Sequence, residues 1–151
     1  MSSTCSGRLN LVHEFRTIAN YIAKNYPTAA KIVEVGVGRV PDVAAELQRL
    51  LPACENIVTD VAKPPALLEQ VKFLRDDITK PNLRIYEGTA LIYAVHPPPE
   101  LQPYLLKVAR GVGADLLIKP LAGESMSLRG GKLINYQGTA FYVFEGPVEK
   151  G

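Results

Sequence analysis

Residues 31–43 read KIVEVGVGRVPDV, and the reading of this stretch decides the fold. A short apolar run, Ile32-Val33-Glu34-Val35, meets Gly36 and Gly38, then Pro41 and a run with helical character from Asp42. Strand, glycine turn and helix start in that order describe the first βα unit of a nucleotide-binding sheet. The strand is too apolar to alternate, as expected when helices cover both faces of a sheet. Pro41 suits the first turn of a helix, where its missing N–H costs nothing.

Upstream, Leu11, Phe15, Ile18 and Ile22 recur at helical spacing, which predicts an amphipathic helix ending before Pro27. Residues 1–7 are small and polar and predict a disordered tail, leaving a single domain over 8–151. Downstream, Val43, Ala44, Leu47, Leu50 and Leu51 give the next helix its buried stripe, and Pro52 stops it. Further strands are predicted over 56–60, 71–74, 90–95 and 114–118, with one or two helical turns over 66–70. A helix over 100–110 should turn Leu101, Tyr104, Leu105 and Val108 inward, with Gly111 near its end. Residues 132–136 and 139–145 flank Gln137-Gly138 and predict a closing β-hairpin. Strands alternating with helices imply an α/β fold: a doubly wound, mostly parallel sheet with a C-terminal antiparallel hairpin.

Composition limits the function classes. The chain has 151 residues, enough for one domain with a real core. Apolar residues at 47% and charged residues at 21% argue against long disorder. The net charge of +2 gives no electrostatic case for nucleic acid or membrane. Two cysteines, Cys5 and Cys54, cannot make a disulfide framework or a zinc site alone, which predicts a reducing, cytoplasmic setting. The opening MSSTCSGR has no signal-peptide core, and no later apolar run reaches membrane-spanning length. No His/Cys/Asp cluster has metal-ligand spacing, and no nucleophile–His–acid set can be assembled.

In doubly wound sheets a ligand lies beyond the carboxyl ends of the strands, where strand order reverses. That rule gathers Gly36, Gly38, Asp60, Asp76, Asp77, Tyr93, His96 and Lys119, all at or near strand ends. Arg39 lies inside the glycine turn, and residues 125–131, SMSLRGG, read as a lid over the site or a plain connector. The dinucleotide pattern GxGxxG fails because its third glycine falls on Pro41, and no Gly-Lys-Ser/Thr follows for a P-loop. Asp42 also stands where a pyrophosphate wants no negative neighbour. A phosphate-free nucleoside fits better. Each acid has a plainer reading too: Asp60 as a turn cap, and Asp76 and Asp77 as solvated turn residues, with Asp77 capping Thr79.

The segment Glu34-Val35-Gly36-Val37-Gly38-Arg39 resembles the first motif of class I S-adenosylmethionine-dependent methyltransferases, acid-x-G-x-G-x-G. The resemblance implies a Rossmann-like fold and S-adenosylmethionine as cofactor, with Glu34, Gly36 and Gly38 at its methionine end. Val40 replaces the family's third glycine. Asp60 then matches the acid that binds the ribose hydroxyls, and Asp76 or Asp77 the acid near the adenine. Beyond this motif the chain is similar, over nearly its full length, to an uncharacterised archaeal protein family with a small Rossmann-like fold. That likeness is carried by VEVGVG, the TD strand end, RDDIT and HPPPEL.

His96-Pro97-Pro98-Pro99 follows the fourth strand, where methyltransferases acting on amino nitrogens carry an Asn/Asp-Pro-Pro-aromatic loop. Here histidine replaces the amide or acid, and Pro99 replaces the ring. His96 is a candidate general base, since its reference pKa lies near neutrality, or a surface residue beside a stiffened strand exit. Two other functions remain open: a non-catalytic binding or assembly module, and a nicotinamide-dinucleotide protein, which Pro41 disfavours. Phe141, Tyr142, Val143 and Phe144 would offer an apolar edge for a homodimer.

Overall fold

The computed structural model describes residues 3–36, 42–62, 71–124, 126 and 128–146, with backbone alone over 3–10. Its elements in chain order are α1 (Ser3–Asn25), β1 (Lys31–Val35), α2 (Asp42–Leu50), β2 (Glu55–Asp60), β3 (Lys72–Arg75), β4 (Leu91–Val95), α3 (Gln102–Val112), β5 (Asp115–Lys119), β6 (Lys132–Tyr136) and β7 (Thr139–Phe144). Single 3₁₀ turns at Leu83–Ile85 and Pro99–Leu101 precede β4 and α3. Gly38, Arg39, Val40, Pro41, Ser125 and the predicted turn over 66–70 lie outside the described residues.

The seven strands form one sheet in the order β3-β2-β1-β4-β5-β7-β6. β1 to β5 pair in parallel, while β7 runs antiparallel to β5 and β6 antiparallel to β7. The chain moves outward from β1 to β3, then crosses back so that β4 lies beside β1 on its other flank. Strand order therefore reverses between β1 and β4, and it is at the carboxyl ends of such a pair that open α/β sheets bind their ligands.

Each strand sends alternate residues to opposite faces. Ile32, Leu91, Tyr93, Leu117, Phe141 and Val143 pack under Ile18 and Ile22 of α1 and Val43 and Leu47 of α2. Val33, Val35, Ile92, Ala94, Leu116 and Ile118 pack against Leu105, Val108 and Ala109 of α3, with Ile85 and Tyr86 of the β3–β4 crossover. The sheet is thus covered on both faces, and its central strands have no solvent side to make polar.

Helix α1 is longer than the sheet it covers. Its 23 residues span about 34 Å, whereas a five-residue strand spans about 17 Å. Near its C-terminus, Tyr26 donates its hydroxyl to Asp115 at the start of β5 (2.7 Å). Glu14 meets His96, just beyond the end of β4. Residues 14–26 therefore cover the sheet from end to end, and the turns before Glu14 project past its carboxyl edge. This corrects two expectations. The chain is helical from Ser3, where a tail over 1–7 was expected, because extending a formed helix costs little. Leu11, expected in the buried stripe, is exposed along with Val12, since no sheet lies beneath that part of α1.

Three smaller corrections follow from packing. In α3 Leu105 and Val108 are buried as expected, and Leu101 in the 3₁₀ turn ahead of it packs on the same core, but Tyr104 is exposed while Gln102 and Ala109 are buried. Gly113, not Gly111, closes α3, its N–H bonding back to Ala109 O and Arg110 O. β7 is an interior strand, so Phe141, Val143 and Phe144 are core residues and offer no dimer surface; β6 is the edge, with Leu133 exposed. The hairpin turn itself matches expectation: Gln137 and Gly138 both take positive φ (50° and 84°), the form whose twist suits a tight two-residue hairpin.

Candidate functional site

The carboxyl ends of β1, β2, β3 and β4 carry the residues singled out in the sequence. β1 ends in Glu34-Val35-Gly36. Gly36 adopts φ +71°, a conformation that strains any side chain, and its N–H donates to Thr59 O (2.9 Å). Thr59 returns the tie by donating its hydroxyl to Glu34 O (3.0 Å). The exit of β1 is therefore clamped to β2 just where the chain turns toward α2.

Glu34, two residues before Gly36, lies on the α1/α2 side of the sheet and is buried. In the β1–β4 register it stands beside Tyr93, whose hydroxyl donates to Glu34 Oε1 (3.0 Å). Burial pushes the Glu34 carboxyl up to about 8; the tyrosine bond opposes this, and the charges of Asp42 and Asp60 add to it. Tyr93 is raised as well, by burial and by the neighbouring carboxylate. Tyr93 is thus both a core residue and the partner of the motif acid. Asp42, at the start of α2, is raised by partial burial. Asp60, at the end of β2, accepts the Val61 N–H (2.7 Å). Three carboxyl groups gather where β1 and β2 leave the sheet.

The acids after β3 are engaged with their own loop. Asp76 accepts the Tyr86 hydroxyl (2.6 Å) and the Asn82 N–H (3.0 Å). Tyr86 is fully buried and its pKa is raised, by burial first and then by Asp76. Asp77 is exposed and accepts both the Thr79 N–H (2.9 Å) and its hydroxyl (2.7 Å), which lowers its carboxyl. That is the turn-capping geometry named as its plainer reading.

At the end of β4, His96 takes a left-handed backbone (φ 56°), and its N–H donates to Lys119 O (2.7 Å). Its Nε2 lies 2.9 Å from Glu14 Oε1. Nothing local in the sequence marks Glu14 or Tyr93 as partners, because 82 and 59 residues of chain separate them from His96 and Glu34. His13 is exposed and reaches Gln137 O on the hairpin turn. Cys54 is buried and its thiol is raised, by burial first, so it is an unreactive core residue. Among the described residues no group of three or more His, Cys, Asp or Glu could hold a metal, and no helix is long and apolar enough to cross a membrane.

This architecture is that of the S-adenosylmethionine-dependent methyltransferases. An S-adenosyl-L-methionine methyl transferase from Silicibacter pomeroyi superposes with a TM-score of 0.61 at 15% identity, covering 90% of this chain and 93% of that one. PigF with SAH gives a TM-score of 0.61 at 12% identity, covering 87% of this chain; this chain spans 61% of PigF. Identities this low establish a shared fold and nothing finer. The chain belongs to the uncharacterised protein family UPF0146, which matches residues 15–146. A UPF0146 protein of Archaeoglobus fulgidus is 50% identical over 126 residues, covering 83% of this chain and 91% of its own. A second, from Methanocaldococcus jannaschii, is 38% identical over 115 residues, covering 76% and 83%.

Proposed function

We propose that this chain binds S-adenosylmethionine at the carboxyl ends of β1 and β2 as a methyltransferase-like domain. The observation that carries the reading is the gathering of three acids where β1 and β2 leave the sheet. Glu34 is buried with Asp42 and Asp60 close enough to raise its carboxyl, which accepts from the neutral Tyr93 hydroxyl. The charges of Asp42 and Asp60 repel a pyrophosphate, and a ligand arm carrying positive charge would draw Glu34 into its carboxylate form. A nucleoside with a cationic amino acid arm has that chemistry. Glu34 and the backbone at Gly36 and Gly38 would hold the methionine end, and Asp60 the ribose hydroxyls through its acceptor oxygens. The bound cofactor would supply an electrophilic methyl group.

Asp76 supports the adenine side less directly. Both of its oxygens already accept protein donors, so its contribution there is to hold the loop in place. Asp77, exposed and capping Thr79, does not take that role in our reading.

Calorimetric titration with S-adenosylmethionine and S-adenosylhomocysteine tests this directly. Saturable binding, weakened by Glu34→Gln and by Asp60→Asn, is the expected result. Folded protein that binds neither compound at millimolar concentration defeats the proposal. Titration with a nicotinamide dinucleotide in parallel separates the alternative ligand class. Binding without methyl transfer to any acceptor would identify a non-catalytic member of the fold.

A further inference from the structure

Helix α1 overshoots the sheet: its residues 3–13 add about 16 Å of helix with no strand beneath them. Near the end of this overhang Leu11 and Val12 are 43% and 41% exposed. Phe15, four residues on from Leu11 and so on the same stripe, is half-buried. Beside them a groove of about 310 Å³ opens between α1 and α2. Val12, Phe15 and Arg16 line one wall, and Asp42, Ala45 and Glu46 the other. The groove is therefore apolar along Val12, Phe15 and Ala45, with charges of both signs beside that strip. Glu46 is already held by Arg49. Arg16 is exposed, and among the described residues neither it nor Asp42 has an ion-pair partner.

We propose that this face joins two copies of the chain across a two-fold axis. The overhang of each copy lies over the α1/α2 groove of the other. Leu11 and Val12 then meet Phe15 and Ala45 of the second copy, and Arg16 meets its Asp42. A two-fold contact sets the same patch against itself, so the patch must be its own complement. An apolar strip flanked by one cation and one anion, each lacking an ion pair within its own chain, meets that condition. A partner of a single charge sign does not, because either Arg16 or Asp42 would repel it. Burial of the apolar strip supplies the affinity, and the two ion pairs at its margin set the register. A stable pair buries about 800 Å² on each partner, and the overhang extends the face past the groove toward that size. The contact lies on the helical layer and requires nothing of the cofactor reading.

Sedimentation velocity of the full chain, from micromolar to submillimolar concentration, is the test, and a reversible dimer is the expected result. Val12→Glu places a charge in the apolar strip, and Arg16→Glu sets like charge against Asp42. Each should weaken the dimer about tenfold or more with the circular dichroism unchanged. Adding Asp42→Arg to Arg16→Glu reverses both charges and should recover most of the lost association. Leu133→Lys, on the exposed edge strand β6, should leave the dimer intact. A chain that stays monomeric throughout that range overturns the proposal, as does a dimer that Val12→Glu and Arg16→Glu leave unchanged. A dimer lost on Leu133→Lys would pair through the sheet edge and overturn it too. A double variant no better than Arg16→Glu alone overturns the pairing of Arg16 with Asp42.

Discussion

Burying a carboxyl group as deeply as Glu34 couples the whole fold to pH. The unfolded chain ionises this acid from about 4.5, while the folded chain keeps its proton to about 8. The folded state therefore binds the extra proton between those values. Its stability from this group is fully present below 4.5, declines as pH rises toward 8 and is level beyond it. The slope is about 1.4 kcal/mol per pH unit within that window. Glu34→Gln removes the slope and keeps the Tyr93 hydrogen bond. Urea titrations at pH 6 and pH 9 should find the variant more stable at pH 9, by roughly 2–4 kcal/mol. An unchanged difference between the two pH values would show that Glu34 is ionised throughout. Tyr93→Phe leaves the buried carboxyl without its donor and should cost about 1–3 kcal/mol at either pH. The position of Glu34 was legible in the sequence, two residues before the first glycine. Its burial and its partner were not, because β1 and β4 become neighbours only when the crossover after β3 returns the chain.

The separate elements divide by how locally their causes act. The tight turn at Gln137-Gly138 and the end of α1 before Pro27 depend on a few adjacent residues, and both stand as the sequence indicates. The apolar spacing of Leu101, Leu105 and Val108 gave the core side of this segment correctly, but did not separate the 3₁₀ turn at Pro99–Leu101 from the helix that follows. The hairpin shows the difference most clearly: its strands were visible, its place in the sheet was not. β7 lies between β5 and β6, so Phe141→Ala should open a cavity and cost about 3–5 kcal/mol in chemical denaturation. Leu133→Lys, on the exposed edge, should change stability by less than about 0.5 kcal/mol. Equal effects at the two sites would contradict the strand order. Gly36→Ala tests the other local feature, since a side chain at φ +71° should cost about 1–2 kcal/mol although nothing among the described residues stands in its way.

For the whole molecule, alternation of strands and helices was enough to infer a doubly wound sheet, and the switch-point rule then gathered the candidate residues before any motif was considered. The rule locates an edge, not the hydrogen bonds along it. It therefore grouped Asp60, Asp76 and Asp77 together, although Asp76 and Asp77 bind donors of the loop after β3 and Asp60 accepts the Val61 N–H at the end of β2. Amide hydrogen exchange should be slowest in β1, β4 and β5, which have neighbours on both sides and helices on both faces, and faster in β3 and β6 at the sheet edges. A ligand that binds only the folded chain raises its stability by about 2.7 kcal/mol at a hundredfold excess over Kd. Saturating S-adenosylmethionine is therefore expected to raise the thermal midpoint by several degrees.

The interior position of β7 also bears on the order in which a ribosome delivers the chain. Every strand from β1 to β5 emerges before residues 139–144, yet β5 has no partner on its outer side until those residues arrive. A nascent chain ending near Gln137 would present β5 as an open edge and leave Leu117 without Phe141 and Val143 as packing partners. Completion of the sheet is therefore deferred until residues 139–144 have emerged. A polypeptide stalled or cut before β7 should aggregate through that edge instead of persisting as a smaller, functional version of the domain.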